Sequence, residues 1–221
     1  PGDIYPEVNG PALPTGGSVG FGYTLSSAFA NGYLPFAFPV LASTQLIDGR
    51  GQVATTTYSY TGGLYVPAER RFFGFATARI RDGGGAYQAL AYTQHVADPD
   101  GTLASRRHEK ANGTLVQYQT TTYVRSGNGA TTPLVSLPGR RDQYECNGQP
   151  TCKASSRGWT YNTYGAVTAE IEYGDDGIAG DERTTFHTQV VNPTAYRTQL
   201  DATQVTRAGA GVATGTMLAE T

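Results

Sequence analysis

Long hydrophobic runs are missing from this sequence, and so is an excess of charge of either sign. No stretch approaches the 18 or more consecutive apolar residues of a membrane-crossing helix, so no membrane span is expected. Lys and Arg number 16 against 18 Asp and Glu, a formal net charge of −2. A nucleic-acid or anionic-membrane surface would show as a basic excess, and the longest basic runs, "SRRHEK" (105–110) and "GRR" (139–141), are too short for one. The sequence also has no Gly-x-Ser-x-Gly elbow, no phosphate-cradling Gly/Lys/Ser loop and no metalloprotease helix. "GSVGFG" (17–22) echoes a dinucleotide loop, but no helical pattern follows it. The three His stand apart, at His95, His108 and His187, and the 2 Cys would need two further ligands to hold zinc. No enzyme, metal or cofactor is expected.

Large aliphatic side chains are scarce as well. Leu, Ile, Val and Phe together make about 18% of the 221 residues, a share that signals disorder only when net charge is high. A compact globule of this length would bury roughly 70% of its unfolded surface, and the supply for such a core is thin. What is present instead is Tyr, 15 residues, and abundant Thr, both good strand formers. The composition points to an ordered β protein whose sheet faces are partly polar.

Punctuation is dense, with 29 Gly and 12 Pro. Turn signals at 48–51, 61–63, 82–85, 98–101, 111–113, 126–129 and 173–181 separate runs of 6–12 residues rich in Thr, Tyr, Val and Ala. The expected fold class is all-β, with many short antiparallel strands joined by hairpins into a curved, extended sheet. Strands are expected at 18–25, 38–47, 52–60, 70–81, 87–97, 102–109, 114–125, 157–162, 166–173, 183–190 and 196–206, with one helical turn within 24–32. Residues 1–17 read as an irregular leader and 126–156 as a loop region with a Cys pair, inside a single segment 1–221. The opening "PGDIYPEVNG" has no Met, so a processed or excised piece of a longer chain is expected.

One phrase returns. "DGRGQVATTTYSY", "DPDGTLASRRHE", "KANGTLVQYQTTTY" and "NTYGAVTAEIEYGD" each join a polar turn, a Gly, one variable residue and then Val or Leu. Gly admits the positive φ of a tight hairpin turn, and the residue two places later is expected to open the inward face of the outgoing strand. The Gly positions, 51, 101, 113 and 165, are unevenly spaced, which excludes a solenoid of fixed rung length. In the last phrase Val167, Ala169, Ile171 and Tyr173 should share one face, and Thr168, Glu170 and Glu172 the other.

Candidate functional residues are few. Cys146 and Cys152 in "ECNGQPTCKA" suit a small disulfide-closed loop in an exported protein. "ERRFFGF" (69–75) places Phe73 and Phe75 on one strand face and Phe72 opposite, either as core or as a contact for a partner or cargo. Trp159, the only tryptophan, is a sheet anchor or an exposed contact of the same kind. "GDERTTFH" (180–187) gathers Asp181, Glu182, Arg183 and His187, but strand alternation points them apart. Asp175, Asp176 and Asp181 suggest an oxygen-rich calcium loop, without the spacing of one; turn chemistry accounts for Asp before Gly.

"YGAVTAEIEYGD" (164–175), "GDERTTFHTQVVNPTAYRT" (180–198) and the long phrase 34–82, with its Gly-Leu-Tyr turn and Glu-Arg-Arg-Phe, resemble the tyrosine–aspartate and Rhs repeat proteins. The match is nearest to the B component of bacterial insecticidal toxin complexes and the related plasmid-virulence B proteins. The chain is far shorter than that family and lacks its dense Tyr-Asp repetition and acidic self-cleavage site. The resemblance implies a shell segment: a β-sheet ribbon spiralling into a hollow cocoon around a toxic cargo. It implies a secreted or cell-surface bacterial virulence protein, with the rest of the shell and the cargo as partners and with edge-to-edge self-association open to it. A β module that binds a glycan or protein receptor, as an adhesin does, is the alternative.

Overall fold

The computed structural model describes residues 5–12, 16–94, 101–126, 135–192 and 197–220. The chain divides into two compact units, Pro1–Val116 and Gln117–Thr221. Unit 1 carries β1 (Tyr5–Ala12), β2 (Ser18–Leu25), β3 (Pro39–Ile47), β4 (Val53–Val66), β5 (Arg71–Arg81), β6 (Tyr87–Tyr92) and β7 (Leu103–Glu109). The division falls just inside β8 (Leu115–Ser126); unit 2 continues with β9 (Val135–Glu145), β10 (Lys153–Tyr161), β11 (Val167–Asp175), β12 (Arg183–Asn192), β13 (Arg197–Ala208) and β14 (Met217–Glu220). Within each unit every strand pairs antiparallel with its neighbour in sequence. The only helical segments among the described residues are two single 3₁₀ turns, Ser26–Ala28 and Pro67–Glu69. The all-β hairpin fold read from the sequence is therefore what the chain adopts.

Three of the four recurring Gly phrases are hairpins of one geometry; at the fourth, Gly101, the hairpin closes instead between Thr93 and Thr102. At 48–52, 82–86, 110–114 and 162–166 the first residue's C=O accepts from the Gly N–H three places on, and its N–H donates to the residue after that Gly. Gly51, Gly85, Gly113 and Gly165 all sit near φ +80 to +90, which closes a type I turn with a left-handed residue. Asp48, Asp82 and Asn162 lend a side-chain oxygen to the same turns. The Gly85 turn belongs to the set although its sequence lacks the aliphatic echo. The inward-face rule fails at Val53, which is 56% exposed.

Both units are single layers rather than globules. The buried apolar side chains among the described residues are only Val40, Phe73, Cys146 and Ala169, beside buried polar Ser26, Glu109, Thr121, Ser156 and Thr184. The chain exposes 13789 Å², where a compact globule of its size exposes about 9,700 Å². Hydroxyl pairs across strands take over part of the work, as at Thr61–Thr77 (2.6 Å) and Thr185–Thr206 (3.0 Å). Each such pair contributes roughly 0.2–1 kcal/mol.

Several elements differ from the sequence expectation. "TGG" (61–63) is not a turn: β4 runs straight through it, and Gly62 is needed because a Cβ there would lie 2.8 Å from Ala76 Cβ. β1 forms within the expected irregular leader, and β9 within the expected 126–156 loop. Pro138, Gly139 and the Arg pair disguise β9; the ladder absorbs Gly139 by skipping it, with Thr122 opposite Arg140 and Tyr123 opposite Pro138. The parity of "ERRFFGF" is inverted. Gly63 pairs Phe75 while Tyr65 pairs Phe72, so β5 holds one extra residue, and Gly74 takes φ +79. The bulge turns Phe72 to the face of Phe75 and leaves Phe73 opposite. The tail of the expected strand 87–97, His95 and the turn residues 98–100 lie outside the described residues.

Candidate functional site

Unit 1 owes its firmest packing to aromatic rings on one face. Phe72 and Phe75 meet edge to face at 5.6 Å between centroids, and both touch Phe38, at 5.2 and 6.2 Å. Tyr60 meets Phe75 in a tilted arrangement at 4.8 Å and Phe29 edge-on at 5.5 Å; Phe36 bridges Phe38 and Tyr65. Such pairs contribute about 0.5–1.5 kcal/mol beyond their buried area. Phe36 is 45% and Tyr33 76% exposed, so the network reaches solvent. Burial pushes the Tyr60 hydroxyl above the usual tyrosine range, with Tyr58 adding to it.

Phe29, Phe36 and Phe38 come from the segment 26–38, where the sequence indicated a helical turn within 24–32, the start of a strand at 38 and part of the family-like phrase 34–82, but no anchoring of this kind. Its signal was the crowding of aromatics in "FANGYLPFAFP" (29–39). β3 pairs with β4 only as far as Thr57, so the far half of β4 has an open edge, and this segment covers it. Gly62 N–H donates to Ala30 O, Tyr65 N–H to Tyr33 O, and Gly63 N–H to Asn31 Oδ1 at 2.7 Å. Asn31 Nδ2 donates in turn to Ser26 O and Phe29 O. Phe73, on the other face, is buried, with the Arg71 guanidinium 5.3 Å from its ring.

Tyr87 of β6 and Glu109 of β7 are register partners. The Tyr87 hydroxyl and Arg107 Nε both donate to the Glu109 carboxylate, and Arg79 lies 4.1 Å over the Tyr87 ring. The Tyr87 hydrogen bond, joined by Arg107 against the opposing effect of burial, holds the Glu109 carboxyl below the usual range.

Unit 2 carries a groove of about 680 Å³ over β9–β12, lined by Arg141, Gln143, Ser155, Arg157, Glu172 and Arg183, with Glu145, Lys153, Asp175 and Asp181 at one end. Arg141, Arg157, Glu172 and Arg183 stand in one cross-strand row. Arg157 pairs with Glu172 (2.6 Å) and Glu170 (3.1 Å), and Arg183 shares Glu172 at 3.3 Å. The alternation expected for β11 is present: Glu170 and Glu172 oppose Thr185 and Arg183, whereas Ala169 and Ile171 oppose Phe186 and Thr184. On the reverse face Asp142 accepts from Arg140 Nε and Ser156 Oγ, each at 2.7 Å. Burial works to raise the Asp142 carboxyl, but these hydrogen bonds outweigh it and hold it low.

The other candidates are placed as follows. Trp159 is half-buried on β10, with the Arg141 guanidinium 5.6 Å from its ring. Cys146 is buried, Cys152 is exposed, and their sulfurs are joined at the tip of the β9–β10 hairpin. Asp181 accepts the Asp175 N–H, Glu182 accepts the Gly180 N–H, and Arg183 turns to Glu172, so the "GDERTTFH" groups do not converge. Asp175 is held by the Gly177 N–H and by Lys153. Among the described residues no three His, Cys, Asp or Glu side chains gather around a metal position, and no helix is long and apolar enough to cross a membrane.

Residues 13–98 match the family model described as the insecticide toxin TcdB middle/N-terminal region. No curated protein sequence matches the chain. Among solved structures the fold is shared with TcdB2–TccC3, with a TM-score of 0.71 at 13% identity over 88% of this chain and 15% of that one. It is also shared with TcdB2–TccC3–Cdc42, at a TM-score of 0.71 and 12% identity over 88% and 14%. The chain thus spans about one seventh of the length of these relatives. Family model and fold together bear out the resemblance read from the sequence: the chain is similar to a segment of the B component of an insecticidal toxin complex.

Proposed function

We propose that the chain is a wall segment of a secreted bacterial toxin-encapsulating shell of the Rhs/YD-repeat type, with no reaction of its own. The observation that carries this reading is the sheet itself. It is a single layer with polar groups on both faces and four buried apolar side chains among the described residues. Such a layer separates two aqueous spaces and need not enclose a core. Threonine pairs and charged rows hold it in register where grease would otherwise do so. In this reading the aromatic face around Phe72 and Phe75, together with Trp159, meets the rest of the shell or the cargo. By analogy with the TcdB2–TccC3 relatives, a second shell component completes the enclosure.

The test is protection. The parent chain carrying these residues, assembled with its second component and an enclosed toxin segment, is digested beside the same toxin segment alone. The enclosed segment is expected to survive at least tenfold longer. Equal rates of cleavage would defeat the proposal, as would assembled particles without an internal space in electron micrographs.

A further inference from the structure

We infer that Arg141 and Trp159 form the anchor of a binding site for an acidic polypeptide segment laid across the groove of unit 2. The inference goes beyond the shell reading and does not rest on it. Arg141 and Arg157 are register partners on β9 and β10, a like-charge pair that weakens an antiparallel ladder. Over the whole groove the charges balance, with Arg141, Lys153, Arg157 and Arg183 against Glu145, Glu172, Asp175 and Asp181, but they are segregated along it. Three guanidiniums, Arg141, Arg157 and Arg183, face two carboxylates, Glu170 and Glu172, and both carboxylates are taken by Arg157 and Arg183. The surplus sits on Arg141, whose one assigned contact is the Trp159 ring.

At 5.6 Å from the ring centroid the guanidinium is within cation–π reach of the indole, and a guanidinium offers two parallel N–H donors to a carboxylate. Trp and Arg are also the side chains that most often dominate the energy of protein interfaces. Ser155 and Gln143 occupy the next cross-strand row of the same groove; the Gln143 amide already donates to Glu145, so the Ser155 hydroxyl is the neutral donor beside the anchor. The groove runs on across β10–β12, and with strands about 4.8 Å apart that length holds several residues, not a lone ion. Its far end, with Lys153 tied to Asp175 and with Asp181 beside it, carries the opposite sign. An occupant therefore seats its acidic side chain at the Arg141 end.

Trp159 is the only tryptophan of the chain, so its fluorescence reports this site alone. The 221-residue chain is titrated with a hexaglutamate peptide, a hexaglutamine peptide, and acetate or inorganic phosphate. A saturable change in Trp159 emission is expected with hexaglutamate only, weakening as salt is raised. Arg141→Gln should weaken it at least tenfold and Arg141→Lys by less, while Arg50→Gln, an exposed change in unit 1, leaves it intact. Circular dichroism checks that each variant is folded. No saturable change, equal binding of hexaglutamine, or an Arg141→Gln variant that binds as well as the parent would overturn the inference. Saturation by acetate or phosphate at the same concentration of anion would reduce the site to general anion attraction and overturn it too.

Discussion

Substituting Gly74 by Ala tests the bulge that orders the aromatic face. Gly74 holds φ +79, and a Cβ built on it meets nothing within 4 Å. Any cost is therefore backbone cost alone. A left-handed conformation costs an L-residue roughly 1–2 kcal/mol, while Ala gains about 0.4–1 kcal/mol over Gly by restricting the unfolded chain. Gly32 is the internal control: it is equally open, without the positive φ, so Gly32→Ala keeps the gain and escapes the cost. The two variants should differ by about 1–2 kcal/mol, with Gly74→Ala the weaker. In urea, with a slope near 2 kcal/mol/M, their midpoints should lie roughly 0.5–1 M apart. Ring packing gives a second readout. If β5 expels the bulge to relieve the strain of Gly74→Ala, Phe72 leaves the face it shares with Phe75, and the near-ultraviolet signal of the Tyr60–Phe75 pair falls. Coincident midpoints with unchanged ring signals would show that the bulge does not depend on glycine, and the parity argument would collapse.

Asn31→Ala removes the acceptor of the buried Gly63 N–H together with two donors that hold segment 26–38; a loss of about 1–3 kcal/mol and faster proteolysis within 26–38 are expected. Replacing Cys146 and Cys152 by Ser opens a ring of about seven residues, whose closure contributes roughly 2 kcal/mol on the chain-entropy account; mass spectrometry of the alkylated parent, with and without reductant, shows whether the bond is present. Glu109 has its carboxyl held low, so its contribution is complete above the unfolded value and is lost as pH falls through the folded one. Melting temperature should accordingly drop on acidification below about pH 4.5, and Glu109→Gln should flatten that drop, as thermal melts across pH 3–7 will show.

The hairpins were legible because their chemistry is local. A polar residue, two spacers and Gly at 48–51, 110–113 and 162–165 fix both the φ sign and the bonding of the turn, whatever lies beyond. Strand alternation in β11 was legible for the same reason over Ala169–Glu172, where the pairing with β12 is unbroken, although the β10 ladder shifts by one residue at Thr168. The aromatic face was not, because its parity turns on Gly74, and a glycine inside a strand reads equally well as a turn, a gap or a bulge. β9 was hidden by Pro138 and Gly139, which the ladder accommodates by leaving Gly139 itself unpaired. The anchoring of segment 26–38 depends on Asn31 meeting Gly63 across 32 positions, a coincidence no local pattern encodes. The row of Arg141, Arg157, Glu172 and Arg183 needs three registers known at once.

The agreement of strand order with chain order within each unit bears on how the molecule is made. Every ladder joins a segment to the one synthesised just before it, so each new hairpin finds its template already in place and waits for nothing downstream. Sequence-near pairings of this kind cost little loop entropy and favour rapid, stepwise folding. They also make length a free variable of evolution. A hairpin inserted or deleted at any Asp/Asn-x-x-Gly turn lengthens or shortens the array without rerouting a single connection.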